Sequence, residues 1–313
     1  MNPDIYKNIQ ELACKEANSY KKIYNIDDFK KTFTEGNVIY YNCIDNNNIQ
    51  IDKIKYNNHP GIIYRDEIVF KHLKKLNITN FNFSIGLDDN YLHNWNIFTF
   101  SKNKYIKNIL IPDLYALNNY SGKLNIIDMN KNKINKIVFA GTDTGNSVDL
   151  KLNQRLDFCS TFANHMLINA KVTHIAQLSK ERIASVYPNV DQFLSNPISI
   201  DDQLKYKFIL SIDGNSTAWD RVPWIMNSNS LLLKYKSDNV NWYYPLINDR
   251  EHYVECDKFD IETKFIYYVN NPRELNFIIS NANHFVKTYL NYDTQMFYFK
   301  SVIEKCKENN KLE

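Results

Sequence analysis

Residues 205–253 read KYKFILSIDGNSTAWDRVPWIMNSNSLLLKYKSDNVNWYYPLINDREHY, and they form the most informative segment of the sequence. It begins as an apolar strand, breaks at Gly214, continues as a short helix carrying Arg221, and returns to a second strand before an aromatic segment. A strand that ends in a polar turn and restarts as a helix presents backbone N–H groups and a positive dipole end to an anion. Arg221 adds a fixed charge suited to a diphosphate. The combination predicts a nucleotide-sugar site.

Strand-like and helix-like segments alternate on both sides of this stretch. The patterns predict strands at 37–41, 49–55, 81–87, 96–100, 136–140, 172–176, 208–212, 231–234 and 253–256, and helices at 3–24, 66–76, 149–169, 222–226, 272–290 and 295–307. Such alternation is typical of parallel sheets with crossover helices. The sequence therefore predicts an α/β protein in two halves, 1–145 and 146–290, with the C-terminal helix in 291–313 packing back on the first half.

The bulk composition excludes several classes of protein. The net charge is +3 and no block of Lys or Arg stands out, so nothing favours a nucleic-acid partner. The five cysteines are scattered and form no C-x-x-C pair, which fits a reducing compartment and argues against a zinc knuckle. The N-terminus lacks the apolar core of a secretory signal, and no apolar run approaches the length of a transmembrane segment. We therefore expect a cytoplasmic protein.

Three motifs resemble glycosyltransferase family 90. The longest is 205–253, where KYKFILSIDGN, WIMNSNSLLLK, Tyr243-Tyr244-Pro245 and His252-Tyr253-Val254 follow the family pattern in order. FAGTDTG at 139–145 is similar to the family's F-R-G-x-x-T-G. IGLDD at 85–89, followed by FTFSK at 98–102, is similar to a family strand that ends in an acid and precedes F-S-F-S-K. The resemblance covers residues 80–290.

The resemblance implies a GT-B-like fold, with two Rossmann-like domains facing a central cleft. It implies an inverting transfer of a hexose or pentose from a UDP-sugar to a hydroxyl of a glycan or protein acceptor, without a metal or another cofactor. The first domain would bind the acceptor and the second the donor. The spacing of the histidines agrees with the expectation that no metal is needed, because neither of the zinc-binding patterns H-x-x-x-H and H-E-x-x-H is present.

An inverting transfer needs one base to take the proton of the acceptor hydroxyl. The resemblance implies that this base is Asp89, at the end of a strand. Asp88 is adjacent and would face the other side of a strand, so it stays an alternative. Both acids together could also simply begin a turn.

The resemblance also implies a set of donor-binding residues, each with a plainer reading. Arg221 could instead pair with Asp220 on the surface, and Arg155 could be an exposed helix residue. The turn after the strand could cap the next helix, and His252 could be a packed core histidine. The predicted donor-binding residues are Arg221, Arg155, Gly214, Asn215, Ser216, Thr217, Gly141, Thr142, Ser101 and His252.

One departure keeps a second interpretation open. Ala140 stands where the family commonly has the arginine of F-R-G, so the chain could be a degenerate member that binds a nucleotide-sugar or glycan without turnover. A single-strand nucleic-acid binder using lysine and stacked aromatics is disfavoured by the mild charge. A glycoside hydrolase would need two facing carboxylates, and the motifs position only one.

Overall fold

The computed structural model describes residues 2–21, 28, 31, 33, 36–45, 48–89, 91, 95–125, 128 and 132–309. Residues 22–24 of the first predicted helix and residues 310–313 of the C-terminal segment lie outside this set. No helix of the described part of the chain is long and apolar enough to cross a bilayer.

The described elements follow each other in this order. The strands are β1 (Val38–Asp45), β2 (Asn48–Lys55), β3 (Phe81–Gly86), β4 (Phe98–Thr99), β5 (Lys102–Asn103), β6 (Ile109–Leu110), β7 (Ile134–Thr142), β8 (Ile168–His174), β9 (Tyr206–Ser211), β10 (Leu231–Tyr235), β11 (Asn239–Val240) and β12 (Val254–Cys256). The helices are α1 (Pro3–Ala17), α2 (Pro60–Leu76), α3 (Leu114–Leu117), α4 (Gln154–Thr161), α5 (Lys180–Ala184), α6 (Val190–Phe193), α7 (Ile200–Gln203), α8 (Arg221–Met226), α9 (Ile261–Asn270), α10 (Pro272–Tyr289) and α11 (Tyr292–Asn309).

The chain divides into two compact units. Unit 1 comprises Met1–Ser121, Asp238–Pro245 and Thr288–Glu313, and unit 2 comprises Gly122–Ser237 and Leu246–Lys287. This division differs from the predicted boundary at residue 145. Residues 122–145 belong to unit 2 because they contain β7, which pairs with both β8 and β9 of the second sheet.

The sheet of unit 1 has the order β2-β1-β3-β4-β6. β1 runs antiparallel to β2 and to β3, whereas β3, β4 and β6 are parallel. Only two residues connect β1 to β2, and so short a connection joins antiparallel strands. The first half is therefore a mixed sheet, not the fully parallel sheet that strand-helix alternation suggests.

The helices of unit 1 begin where proline and a capping side chain permit. Pro3 opens α1 behind Asn2, whose side chain accepts a hydrogen bond from the backbone N–H of Asp4. Pro60 opens α2 behind His59, so this helix starts six residues before the predicted 66–76. The C-terminal helix α11 belongs to unit 1 and packs on α1.

Residues 238–245 leave unit 2 and complete unit 1. Trp242 is buried and stacks on Tyr298 of α11, with ring centroids 4.4 Å apart. The buried Asn241 donates its side-chain amide N–H to Asp113 at 3.0 Å. In addition, β11 pairs with β5. Because of these contacts, residues 238–245 belong to unit 1, although the sequence predicted them in the second half.

The sheet of unit 2 is fully parallel, in the order β8-β7-β9-β10-β12. The α/β class predicted from the sequence is confirmed. The predicted helix 149–169 is wrong in extent, because α4 covers only Gln154–Thr161 and β8 begins at Ile168. α9 was not predicted from the sequence.

The strand order of unit 2 changes direction at β7. The chain passes from β7 to β8 on one side of the sheet, and β9 then returns to the other side of β7. Where the order reverses, the connections leave in opposite directions and a crevice opens at the carboxyl ends of the two central strands. The apolar core, which includes the fully buried Phe139, Phe158 and Phe208, fixes these strands below that crevice.

Candidate functional site

Arg155, in the first turn of α4, connects the carboxyl ends of β7 and β9. Its Nη1 donates to the carbonyl oxygen and hydroxyl of Thr142, at 3.3 and 3.0 Å, and to the hydroxyl of Thr144 at 2.6 Å. Its Nε donates to the carbonyl oxygens of Ile212 and Asp213, both at 3.2 Å, and its Nη2 donates to that of Ile212 at 3.0 Å. The guanidinium therefore occupies the switch point between the two strands.

Arg221, the first residue of α8, bridges the same strands two residues further in. Its Nη1 donates to the carbonyl oxygen of Ala140 on β7 at 3.0 Å. Its Nε and Nη2 donate to that of Leu210 on β9 at 3.2 and 3.0 Å, and Nη2 also donates to Gln203 at 2.9 Å. Position 140, where the family commonly has an arginine, is an alanine here. Its main-chain carbonyl oxygen accepts a hydrogen bond from Arg221.

The two guanidiniums have neutral hydrogen-bond acceptors. Among the described residues neither makes an ion pair, and Asp220, the surface partner considered for Arg221, binds Lys123 instead. Burial, together with the neighbouring positive charge of Arg155, lowers the pKa of Arg221 to about 9. Burial also lowers the pKa of Arg155. An anion placed beside these groups would relieve both the desolvation and the repulsion.

Gly214 lies directly against Arg155. A Cβ at this position would stand 2.5 Å from the hydroxyl oxygen of Thr144 and 3.1 Å from both Cζ and Nη2 of Arg155. A side chain would therefore cover Nη2 or displace it. The glycine is required here because the backbone must approach a guanidinium closely.

The rest of the 214–217 turn holds itself together. The Asn215 side chain accepts a hydrogen bond from the N–H of Gly145, which ties this turn to the turn after β7. The buried hydroxyl of Ser216 accepts from the indole N–H of Trp219, and Thr217 is buried as well. The Ser216 hydroxyl, predicted as a phosphate donor, is thus already engaged inside the turn.

The predicted anion site at a helix N-terminus is not what the structure shows. α8 begins at Arg221 and has six residues, so the N–H groups of 214–217 do not belong to its first turn. The alternative, in which this turn caps the helix, is wrong too, because Asp220 is the N-cap residue and makes no side-chain capping bond. The charge at this point of the fold comes from the arginines.

The turn after β7 is fixed by a buried carboxylate that sequence reasoning missed. Asp143 is completely buried and accepts hydrogen bonds from the N–H groups of Ala176, Gln177 and Leu178. It thereby fastens the loop after β8 beside Thr142. Gly141, predicted as a ligand contact, packs on the ring of Phe139, which a Cβ would approach to 2.9 Å.

A second acid, Asp213, is also buried at the switch point. One carboxylate oxygen accepts from the N–H of Ala218 at 3.0 Å, and the other has no hydrogen-bond partner in the described part of the chain. Its charge acts against the effect of burial on the pKa of Arg155. The signal in the sequence is an acid two residues beyond the end of an apolar strand.

The adjacent acids of unit 1 have different environments. Asp88 accepts hydrogen bonds from the backbone N–H of Asn37 at 2.6 Å and from its side-chain amide at 2.7 Å. Asp89 forms an ion pair with Nη2 of Arg65 at 2.8 Å, and 37% of its side chain is exposed. Asp88 is therefore a structural connection between β1 and the end of β3, whereas Asp89 can be reached by a substrate.

Two predicted donor-binding residues have mainly packing roles. Ser101 lies in unit 1 and is 1% exposed. The next residue, Lys102, forms an ion pair with Glu16 at 2.5 Å. His252 packs edge-on against Phe285, and its Nδ1 accepts from the N–H of Asn248 at 3.2 Å. Burial lowers the pKa of His252. The packed-histidine alternative therefore fits His252 better.

Comparison with known proteins identifies the class of this protein as a glycosyl transferase. The family model described as "Glycosyl transferase family 90" matches residues 94–311, which is more than half of the chain. The chain therefore belongs to glycosyl transferase family 90, as the three motifs predicted. The presence of two α/β units agrees with the GT-B-like class expected for the family.

Relatives among characterised and uncharacterised proteins are distant. The chain is 28% identical over 156 residues to "O-glucosyltransferase LpsA" of Dichelobacter nodosus, and this match spans 49% of the chain and 45% of the relative. It is 24% identical over 207 residues to "Uncharacterized protein 179R" of Invertebrate iridescent virus 6, over 56% of the chain and 17% of the relative. The matches thus span less than half of each relative's length.

Two solved structures show a weak likeness to the chain. One is the C-terminal domain of a glycosyl transferase group 1 family protein (LpcC) from Francisella tularensis, with a TM-score of 0.31, 11% identity, and coverage of 49% of this chain and 83% of that one. Another is sucrose-phosphate synthase from Thermosynechococcus elongatus, with a TM-score of 0.34, 12% identity, and coverage of 60% and 47%.

Proposed function

We propose that this protein is an inverting, metal-independent glycosyltransferase that binds a UDP-sugar at the switch point of unit 2. The observation that supports this most is the arginine pair at the carboxyl ends of β7 and β9. Two half-buried guanidiniums with only neutral acceptors are costly unless an anion compensates them. The diphosphate of a nucleotide-sugar is an anion of suitable charge and geometry.

The hydrogen bonds that Arg155 and Arg221 already make leave N–H groups for such a ligand. A guanidinium has five N–H groups, two of them on each Nη atom. Nη2 of Arg155 donates to one acceptor in the described part of the chain, the carbonyl oxygen of Ile212. Nη1 of Arg221 likewise donates to one, the carbonyl oxygen of Ala140. Each side chain therefore retains an N–H for a phosphate oxygen. The hydroxyls of Thr142 and Thr144 lie within hydrogen-bond distance of Arg155 and extend the same polar surface.

In the proposed reaction, Asp89 takes the proton from a hydroxyl of a glycan or protein acceptor. The oxygen then attacks the anomeric carbon of a hexose or pentose, and the bond to the nucleotide diphosphate breaks on the opposite face. Arg155 and Arg221 stabilise the charge that develops on the leaving diphosphate. Arg65 fixes the orientation of the Asp89 carboxylate through their ion pair. The resemblance to the family supports the role of Asp89.

Isothermal titration of the purified protein with uridine, UMP, UDP and four UDP-sugars (glucose, galactose, xylose and N-acetylglucosamine) tests the donor assignment. We expect affinity to rise from uridine to UDP, because the diphosphate supplies the contacts with the arginines. Equal affinities for uridine and UDP would contradict the site. A donor-hydrolysis assay without acceptor separates a working enzyme from the binding-only alternative, since slow release of sugar to water requires an active site.

A further inference from the structure

A second cavity of unit 2 is not part of the switch-point site. It has a volume of about 520 Å³ and lies between the edge strand β12, α9 and α10. Its lining includes Arg250, Thr263, Tyr267, Tyr268, Glu274 and Phe277. None of these residues belongs to the turns that surround Arg155 and Arg221. The volume falls in the range of small-molecule sites in proteins.

The aromatic side chains of this cavity are unusually exposed. Tyr267 is 47% exposed and Phe277 59% exposed, and the two belong to the consecutive helices α9 and α10. The Tyr267 ring meets that of Tyr268 edge to face, at a centroid distance of 5.1 Å. Aromatic faces left in contact with water at a concave surface are typical of a binding site.

The polar groups of the cavity are arranged around these rings. The hydroxyl of Tyr267 donates to the carboxylate of Glu274, whose two oxygens lie 3.0 and 2.9 Å away. Lys264 is held by the carbonyl oxygen of Glu255 and by Asp260, both at 2.7 Å. Within the described part of the chain, the Arg250 side chain has only a long ion pair with Asp249, at 3.6 Å. One accessible cation and one accessible carboxylate leave the lining close to neutral.

The turn that carries Arg250 is held by His252. Arg250 adopts a left-handed backbone conformation with a φ of 62°, which is strained for an arginine. The turn is closed by the N–H of His252 donating to the carbonyl oxygen of Asn248, and by the N–H of Asn248 donating to Nδ1 of His252. His252 therefore holds the turn that presents Arg250 to the cavity, a role that the donor site does not use.

We propose that this cavity binds a saccharide unit separately from the nucleotide-sugar. A pyranose ring has apolar C–H faces, which suit Tyr267 and Phe277, and a rim of hydroxyls, which suit Glu274, Arg250 and Thr263. A strongly anionic ligand would meet Glu274, and a purely apolar one would bury the charged groups without hydrogen bonds. The proposal does not depend on the assignment of the donor site.

The test is titration of the full chain with glucose, galactose, N-acetylglucosamine, cellobiose, lactose and maltose, followed by saturation-transfer NMR. We expect at least one of these sugars to bind. Phe277→Ala should weaken binding roughly 3- to 10-fold through loss of an aromatic face. Glu274→Gln, which preserves shape, should also weaken it.

Ile266→Ala provides the matched control, because Ile266 is 54% exposed on α9 next to Tyr267 but does not line the cavity. Its sugar affinity should equal that of the wild type, and saturating UDP should leave sugar binding unchanged. The proposal is overturned if no sugar of the panel binds, if binding survives both cavity substitutions, or if saturating UDP abolishes it. Failure of UDP binding alone would affect only the donor assignment.

Discussion

Arg155 and Arg221 bind main-chain carbonyl oxygens of the same two strands at successive levels. Arg221 joins Ala140 of β7 to Leu210 of β9. Arg155 joins Thr142 to Ile212, and each of these residues lies two positions further along the sequence. The pairing of β7 with β9 ends at Val138 and Ile209, so these carbonyls lie beyond the paired part of the two strands. The arginines replace the missing strand donors and carry positive charge to the opening.

Arg155 is expected to contribute most directly to nucleotide binding. Arg155→Ala should weaken UDP by about 1.5 to 3 kcal/mol, the usual range for a hydrogen bond to a charged group. Isothermal titration measures this loss. Arg273→Ala, an exposed arginine on α10, is the matched control and should leave the affinity unchanged. Equal UDP affinities for wild type and Arg155→Ala would remove Arg155 from the site.

Arg221 is expected to stabilise unit 2 in addition to binding the ligand. Arg221→Ala leaves the carbonyl oxygens of Ala140 and Leu210 without their side-chain donor, and each unsatisfied buried group costs about 1 to 3 kcal/mol. We therefore expect the free energy of unfolding, measured in urea without ligand, to fall by about 2 kcal/mol or more. A variant as stable as the wild type would show that the bridge has no structural role.

Gly214 should not tolerate even one added carbon atom. Gly214→Ala places a Cβ 2.5 Å from the hydroxyl oxygen of Thr144, which must move together with Arg155. We expect UDP binding to weaken at least about tenfold, equivalent to 1.4 kcal/mol. The double substitution Gly214→Ala/Thr144→Ala removes the nearest colliding atom and should recover part of the loss. If Gly214→Ala binds UDP normally, close packing on the guanidinium is irrelevant to the ligand.

Substitution separates the adjacent acids Asp88 and Asp89. Asp89→Asn should lower turnover by about 10² to 10⁴, the effect of losing a general base, while UDP affinity is unchanged. Asp88→Asn brings an amide against the two N–H donors of Asn37 and should destabilise unit 1 by about 1 to 3 kcal/mol. Turnover assays and urea unfolding of both variants measure this. The assignment is reversed if Asp88→Asn folds normally and loses turnover whereas Asp89→Asn does not.

His252 should make the stability depend on pH below neutrality. Its folded-state pKa lies below the ordinary value of 6.5, so the unfolded chain takes up the proton first as the pH falls. Stability is therefore complete above pH 6.5 and declines below it until the folded-state pKa is passed. His252→Asn retains a side-chain acceptor for the N–H of Asn248 and cannot titrate.

Urea unfolding at several pH values compares this variant with the wild type. We expect His252→Asn to lose less stability than the wild type between pH 7 and pH 5, while measurements at pH 8 give the cost of the substitution itself. Parallel curves for the two proteins would mean that burial of His252 does not contribute to the acid sensitivity.

Local sequence patterns predicted the elements that form the site, but not the partners of its side chains. The strand at 208–212 and the turn at Gly214 could be predicted because apolar runs and glycine breaks are properties of neighbouring residues. The interpretation of 214–217 as a helix N-terminus was wrong, since α8 begins only at Arg221 and the Ser216 hydroxyl accepts from Trp219 within the preceding turn. Asp143 and Asp213 stand in turns as many acids do, and their burial in the folded chain distinguishes them.

Motifs and short-range periodicity were sufficient to predict the family, the α/β class and the residue types available for an anion site. That β7 and β9 are neighbours, and hence that Arg155 and Arg221 share one opening, became apparent only in the folded chain. The same is true of the bonds from Asn37 to Asp88 and of the ion pair between Asp89 and Arg65. Strand order and carbonyl pairing bring together residues far apart in the chain, and no local pattern records which of them will meet.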